Sequence, residues 1–154
     1  MGIKSYIGRR AKPQKGSNEN IKVSDYMTRK LITFHPDEPV LKVMDTLIKK
    51  RISGGPVVND KNELVGIISE GDCIREISNS RYHNHPIQEV RVKDHMVTDV
   101  ETIDGNMSVF EAADRFLATR IRRFPVIEDG KLVGQISQKD VLKAALKLKC
   151  NSWK

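Results

Sequence analysis

The sequence predicts an α+β protein made of two β-α-β-β-α repeats packed about a pseudo-twofold axis. Three observations predict it. The first is an internal repeat: residues 23–77 align with 92–145 at an offset of 69, which becomes 68 after one residue is dropped near Lys61. Val23, Asp25, Met27, Thr33, Val40, Asp45, Arg51-Ile52, Pro56-Val57, Leu64-Val65-Gly66, Ile68-Ser69 and Asp72 return as Val92, Asp94, Met96, Thr102, Val109, Asp114, Arg120-Ile121, Pro125-Val126, Leu132-Val133-Gly134, Ile136-Ser137 and Asp140. A repeat of this length constrains architecture before any single residue is interpreted. The second is apolar spacing that changes from helical to extended at the same place in each copy. The third is turn chemistry that recurs between the extended stretches.

The elements follow in order. After an Asp-x-Met turn comes a short β-prone stretch, Leu31–Phe34 in the first copy and Val100–Ile103 in the second. Val40, Val43, Met44, Leu47 and Ile48 then lie at i, i+3, i+4, i+7 and i+8, one apolar helical face. Val109, Ala112, Ala113, Phe116 and Leu117 repeat that spacing. Pro39 suits a first helical turn, and Ser108 with Glu111 has the pattern of a capping box. Two strands follow, Pro56–Val58 and Leu64–Ser69 around a turn at Asn59–Asn62, matched by Pro125–Ile127 and Leu132–Ser137 around Glu128-Asp129-Gly130. The Asp-Gly step is a strong hairpin signal. A second helix is expected from near Ser69 and near Ser137.

The expected organisation is a flexible basic tail at 1–20, repeat 1 at 21–78, an exposed connecting loop at 79–91, repeat 2 at 92–148 and a basic end at 149–154. A copy of about 55 residues buries too little surface for comfortable stability, so the two copies are expected to share one core. The net charge of +7 sits in the ends: 1–20 carries +4, 143–154 another +4, and 21–142 sums to −1. A nearly neutral body with no base-stacking aromatic platform argues against a nucleic-acid binder and leaves that class as a minor alternative resting on the basic tails. No apolar run approaches the roughly 20 residues that cross a bilayer, so no membrane partner is expected. Cys73 and Cys150 lack metal or redox spacing, which fits a reducing cytoplasm.

The sharpest local element is a glycine, a serine three residues on and an aspartate three further: Gly66, Ser69, Asp72 and again Gly134, Ser137, Asp140. An ionised carboxylate can accept from both hydroxyls of a ribose. The serine stands where a strand feeds a helix N-terminus, a place whose free N–H groups and dipole favour phosphate. Ser-x-x-Asp is equally the pattern of a capping box, and by itself the cap is the commoner meaning.

Four stretches resemble the CBS domain: Asp25-Tyr26-Met27-Thr28, then Thr33–Pro36 with Pro39-Val40, then Arg51–Val58, then Leu64–Asp72. The second copy supplies most equivalents, so the doubled form resembles the tandem pair known as a Bateman module. The resemblance implies a regulatory module that binds an adenosine nucleotide (AMP, ADP or ATP, with S-adenosylmethionine also open) in clefts between repeats. It also implies a homodimer of two pairs and signalling to a target protein. It further implies that Ser137 and Asp140 face Thr28, Ile32, Ser53 and Gly54 of the opposite copy. Ser69 and Asp72 would face Thr98, Arg122 and Arg123, where two guanidiniums suit phosphate. Glu101 stands where the first copy has Ile32, and a buried acid there would weaken that cleft or make it selective.

Other chemistry is sparse. His83 and His85 form a loop pair without further ligands nearby, His95 beside Asp94 is expected to be structural, and Trp153 either anchors the basic end or leaves it free. No phosphate-loop, nucleophile-elbow or zinc-protease motif is present, and no nucleophile has an evident base, so no enzymatic activity is expected. The main alternative is a structural dimerisation or scaffold module with unliganded clefts, whose Ser-x-x-Asp residues only cap helices.

Overall fold

The computed structural model describes residues 21–84 and 86–152, the last four as backbone. The tail at 1–20, His85 and Trp153 lie outside the described residues. The order is α1 (Val23–Tyr26), α2 (Val40–Lys50), β1 (Gly54–Val58), β2 (Leu64–Ser69), α3 (Glu70–His83), a 3-10 turn (Ile87–Glu89), α4 (Val92–His95), β3 (Ile103–Asp104), α5 (Val109–Ala118), β4 (Arg123–Glu128), β5 (Lys131–Ser137) and α6 (Gln138–Ser152).

Each repeat is built on one antiparallel hairpin. β1 pairs β2 from Gly54↔Ser69 to Val58↔Leu64, and β4 pairs β5 from Arg123↔Ser137 to Glu128↔Lys131. Both carry a bulge at the same place, Val57/Val58 and Val126/Ile127. The second turn has positive φ at Asp129 (51°) and Gly130 (77°), the conformation an Asp-Gly step favours in a two-residue hairpin. The strand expected at Leu31–Phe34 is reduced to a single parallel bridge, Phe34↔Val57, and its counterpart to the two-residue β3 beside β4. Pro36, two residues on, has no N–H with which to extend the pairing.

The hydrophobic interior corrects one expectation. Among the described residues there are two core clusters, and each is completed by the other repeat. Val23 and Met27, which open the first copy, pack with Ile103, Phe116, Phe124, Val126 and Ile136 of the second. Val92, which opens the second, packs with Phe34, Val40, Val43, Val57 and Ile68 of the first. The exchange is held by backbone bonds: Val23 N–H donates to Met107 C=O (2.8 Å), and Val92 N–H to Glu38 C=O (2.9 Å). A repeat too small to bury its own apolar face thus borrows α1 or α4 from its neighbour.

The connecting loop is also shorter than expected. α3 continues through Asn79 to His83, because Ser80 is buried and donates to Glu76 Oε1 (2.7 Å), and Asn84 ends the helix with φ 56°. At α5, Ser108 Oγ accepts from the Phe110 N–H (3.1 Å), a single-sided cap in place of a box with Glu111.

Candidate ligand-binding clefts

The Ser-x-x-Asp elements fold as capping boxes in both copies. Asp72 Oδ2 accepts from the Ser69 N–H (2.9 Å) and the Ser69 hydroxyl (3.0 Å). Asp140 Oδ2 accepts from the Ser137 N–H (2.9 Å) and hydroxyl (3.0 Å), and Ser137 Oγ in turn accepts from the Asp140 N–H (3.3 Å). The cap therefore occupies one oxygen of each acid, and what remains for a ligand is the other. There the copies part. Asp72 Oδ1 takes the Arg75 guanidinium at 3.3 Å. Asp140 Oδ1 has no protein donor among the described residues. One oxygen with two lone pairs, rather than the whole carboxylate, is what Asp140 offers a vicinal diol.

Asp140 opens onto a cavity of about 300 Å³ walled by both repeats. Thr28, Ile32 and Gly54 from the first copy line it with Ser137 and Asp140 from the second, the grouping that the resemblance implies. Thr28 is held there by a reciprocal pair of bonds with Gln135 (2.8 and 2.9 Å). Gly134 permits this approach: a Cβ on it would lie 2.7 Å from Met27 Sδ and 2.8 Å from the Thr28 carbonyl. Gly66 is covered in the same way by Met96 and Val97. The repeated glycine is thus a packing requirement between repeats.

Several residues lie elsewhere than expected. Ser53 does not line the Asp140 cavity; it borders a neighbouring space of about 180 Å³ shared with Ser69 and Arg123. Arg123 lines the Asp140 cavity, because its register opposite Ser137 puts it at that cleft's edge. Arg122, one residue earlier and outside the ladder, is exposed and lines none of the described cavities. Thr98 lines a separate space of about 170 Å³ near Gly66 and Gly130. Val97 makes the bonds to Ile67 that match those of Thr28 to Gln135, so Val97 is the true counterpart. Glu101 is exposed, 4.0 Å from Arg115, and bears no burial cost. Lys30, Leu31, Ile52, Pro56 and Gln135 also line the Asp140 cavity without having been singled out by motif. The signal for Lys30 is its position two residues before Ile32 on the same edge.

A larger groove, about 660 Å³, runs between α2 and α3, lined by Met44, Leu47, Ile48, Cys73, Ile74 and Ile77 among others. Ile48 and Ile74 are exposed on it, as Leu117 and Leu142 are on α5 and α6. Burial pushes the Cys73 thiol pKa above the ordinary cysteine value, with Asp72 and Glu70 adding in the same direction. His95 is structural as expected: its Nε2 pairs with buried Glu76 and ties α4 to α3. Among the described residues no His, Cys, Asp and Glu group could hold a metal, and no helix is long and apolar enough to cross a membrane.

Comparison with known proteins agrees with this architecture. The CBS domain family model matches residues 23–79 and 92–147. The crystal structure of CBSX2 in complex with AMP superposes with a TM-score of 0.72 at 30% identity, covering 84% of this chain and 98% of that one. CBSX2 is a CBS-pair protein of Arabidopsis thaliana. MJ1225 of Methanocaldococcus jannaschii is 29% identical over 124 residues, 80% of this chain and 42% of that protein. Inosine-5'-monophosphate dehydrogenase of Aquifex aeolicus is 33% identical over 113 residues, 73% of this chain and 22% of the enzyme. The chain thus spans less than half the length of either of these two curated relatives. With the duplicated hairpins, the exchanged α1 and α4 and two family matches in one chain, this protein belongs to the CBS domain family as a tandem pair.

Proposed function

We propose that this chain is a non-catalytic regulatory module whose Asp140 cleft binds an adenosyl ligand, AMP, ADP, ATP or S-adenosylmethionine. The observation that carries the reading is the Asp140 cleft: an inter-repeat cavity in which a buried carboxylate keeps one oxygen without a protein donor among the described residues. A ribose diol fits that oxygen, and Ile32 with the backbone at Gly54 offers a wall of low bulk for a base. CBSX2, a structural relative, has been crystallised with AMP. The apolar faces of α2 with α3 and of α5 with α6 support a homodimer, in which ligand binding shifts the pairing to the extent that it prefers one state. A target protein would read that shift. The scaffold reading draws support from the intact capping boxes, which need no ligand to explain them.

Titration calorimetry with AMP, ATP and S-adenosylmethionine tests the reading. Binding is expected in the wild type and weakened more than about tenfold by Asp140→Ala, since bonds to a charged acceptor are worth about 1.5–3 kcal/mol each. No binding by any of the three, with Asp140→Ala costing only about 1 kcal/mol of stability as a lost cap, would establish the scaffold reading. For the dimer, Ile48→Asp with Leu117→Asp is expected to shift sedimentation from two chains to one; an unchanged coefficient would refute those faces as the contact.

A further inference from the structure

We propose that the Asp140 cleft selects adenosyl ligands that carry phosphate over neutral or sulfonium-bearing ones, with Lys30 and Arg123 as the selecting residues. The proposal rests on the reading of that cleft as an adenosyl site and adds the class of ligand it prefers.

Lys30 and Arg123 line the same cavity as Ser137 and Asp140, one from each repeat. Both are exposed, and neither forms an ion pair among the described residues, so their charge is available to a ligand. Arg123 is the cross-strand partner of Ser137 and therefore stands beside the N-terminus of α6. Directly paired strand residues have Cβ atoms about 5 Å apart, within reach of a guanidinium that lies along the helix end. Ser137 itself has no proton to give a phosphate while the cap stands, because its hydroxyl donates to Asp140. An ionised carboxylate only accepts, which fixes that direction. The anion-binding capacity of the cleft thus falls to the two cations and the α6 N–H groups. With one carboxylate against two cations, its titratable lining carries a net positive charge.

The repeat supplies an internal contrast. At the offset of 69, Lys30 becomes Asp99, Ile32 becomes Glu101 and Arg123 corresponds to Gly54. Gly54 and Arg123 exchange places between the two sets, and Arg123 also borders Ser69. The two remaining charged differences, at Lys30 and Ile32, both move the Asp72 side toward negative. Asp72 has in addition recruited Arg75 to its second oxygen, while Lys143, in the position of Arg75, makes no such bond to Asp140. A phosphate that is welcome at one cleft meets carboxylates at the related positions of the other.

The test is calorimetry on the full chain at low ionic strength with adenosine, 5′-methylthioadenosine, S-adenosylmethionine and AMP. AMP is expected to bind at least about tenfold more tightly than the other three, at one site per chain, since each charge-assisted bond adds roughly that factor. Lys30→Gln with Arg123→Gln is expected to cost AMP most of that advantage while changing adenosine affinity far less. Circular dichroism would confirm that the double variant is folded. A neutral or sulfonium ligand binding as tightly as AMP, or an AMP advantage that survives the double substitution, overturns the proposal. Asp140→Asn separates the two levels: if it leaves adenosine binding intact, the adenosyl reading of the cleft fails, whatever the phosphate preference. If none of the four ligands binds the wild type, both fall together.

Discussion

Asp72 and Asp140 stand three residues after equivalent serines, accept the same two bonds from them, and differ only at the second oxygen. In the first repeat that oxygen is taken by Arg75; in the second it has no protein donor among the described residues, and Asp140 lines a cavity. The lesson is that a duplicated motif can keep its structural duty in both copies while only one leaves an oxygen unclaimed by protein donors among the described residues. The cap accounts for both acids, and the surroundings decide which of them has anything left to offer.

The largest expected effect comes from breaking this comparison at the acids themselves. Asp140→Asn is expected to lower AMP affinity more than about tenfold, whereas Asp72→Asn leaves it within about twofold and costs about 1 kcal/mol of folding stability through its cap. Calorimetry and thermal unfolding on the same samples check both halves. Next come the glycines on which the opposite repeat rests. Gly134→Ala and Gly66→Ala are each expected to cost about 1–3 kcal/mol, because the new Cβ meets a backbone carbonyl that cannot yield. Gly134→Ala also displaces Thr28, so it alone should weaken ligand binding. Equal binding in the two variants would mean that Thr28 does not shape the site.

A smaller effect sharpens the role of Arg75. Its side chain is mostly exposed, so Arg75→Ala should change stability by less than about 1 kcal/mol. It leaves Asp72 Oδ1 without its donor but does not supply Lys30 or Arg123, so AMP stoichiometry is expected to stay at one; a second site appearing in this variant would show that Arg75 alone had closed it. The smallest effect concerns Cys73, whose raised pKa keeps the thiol neutral in the folded chain. The unfolded chain ionises first as pH rises, so this contribution to stability is complete below the ordinary cysteine value and is lost as pH climbs through the folded one. In a Cys150→Ser background, alkylation at pH 8 should be much slower in native than in denatured protein, and equal rates would contradict the burial.

Much of the fold was legible because periodicity and turn chemistry are local. The helical face from Val40 to Ile48 and the Asp129-Gly130 turn follow from spacing and φ alone. The exchange of α1 and α4 was not, since Val23 aligns with Val92 whether each packs on its own repeat or on the other. For the same reason one shared core and two reciprocal cores cannot be told apart by alignment. At the site, Thr28, Ile32, Gly54, Ser137 and Asp140 were legible as a group. The resemblance put Thr98 at the Asp72 cleft, but backbone pairing with Ile67 makes Val97 the counterpart of Thr28. Arg123 borders Ser69 as expected but lines the Asp140 cavity as well. The second placement was not legible because strand register, which sets it opposite Ser137, is a tertiary fact. Lys30 carried no motif, and only its place two residues before Ile32 and its contrast with Asp99 across the repeat mark it.

The central claim is that Asp140, and not Asp72, presents its spare oxygen to a ribose. A crystal of the full chain soaked with AMP tests it most directly. The predicted result is nucleotide density in the Asp140 cleft alone, with the 2′ and 3′ hydroxyls on Oδ1 and the cap on Oδ2 unbroken. Nucleotide beside Asp72, or water alone in the Asp140 cleft at saturating AMP, would contradict it.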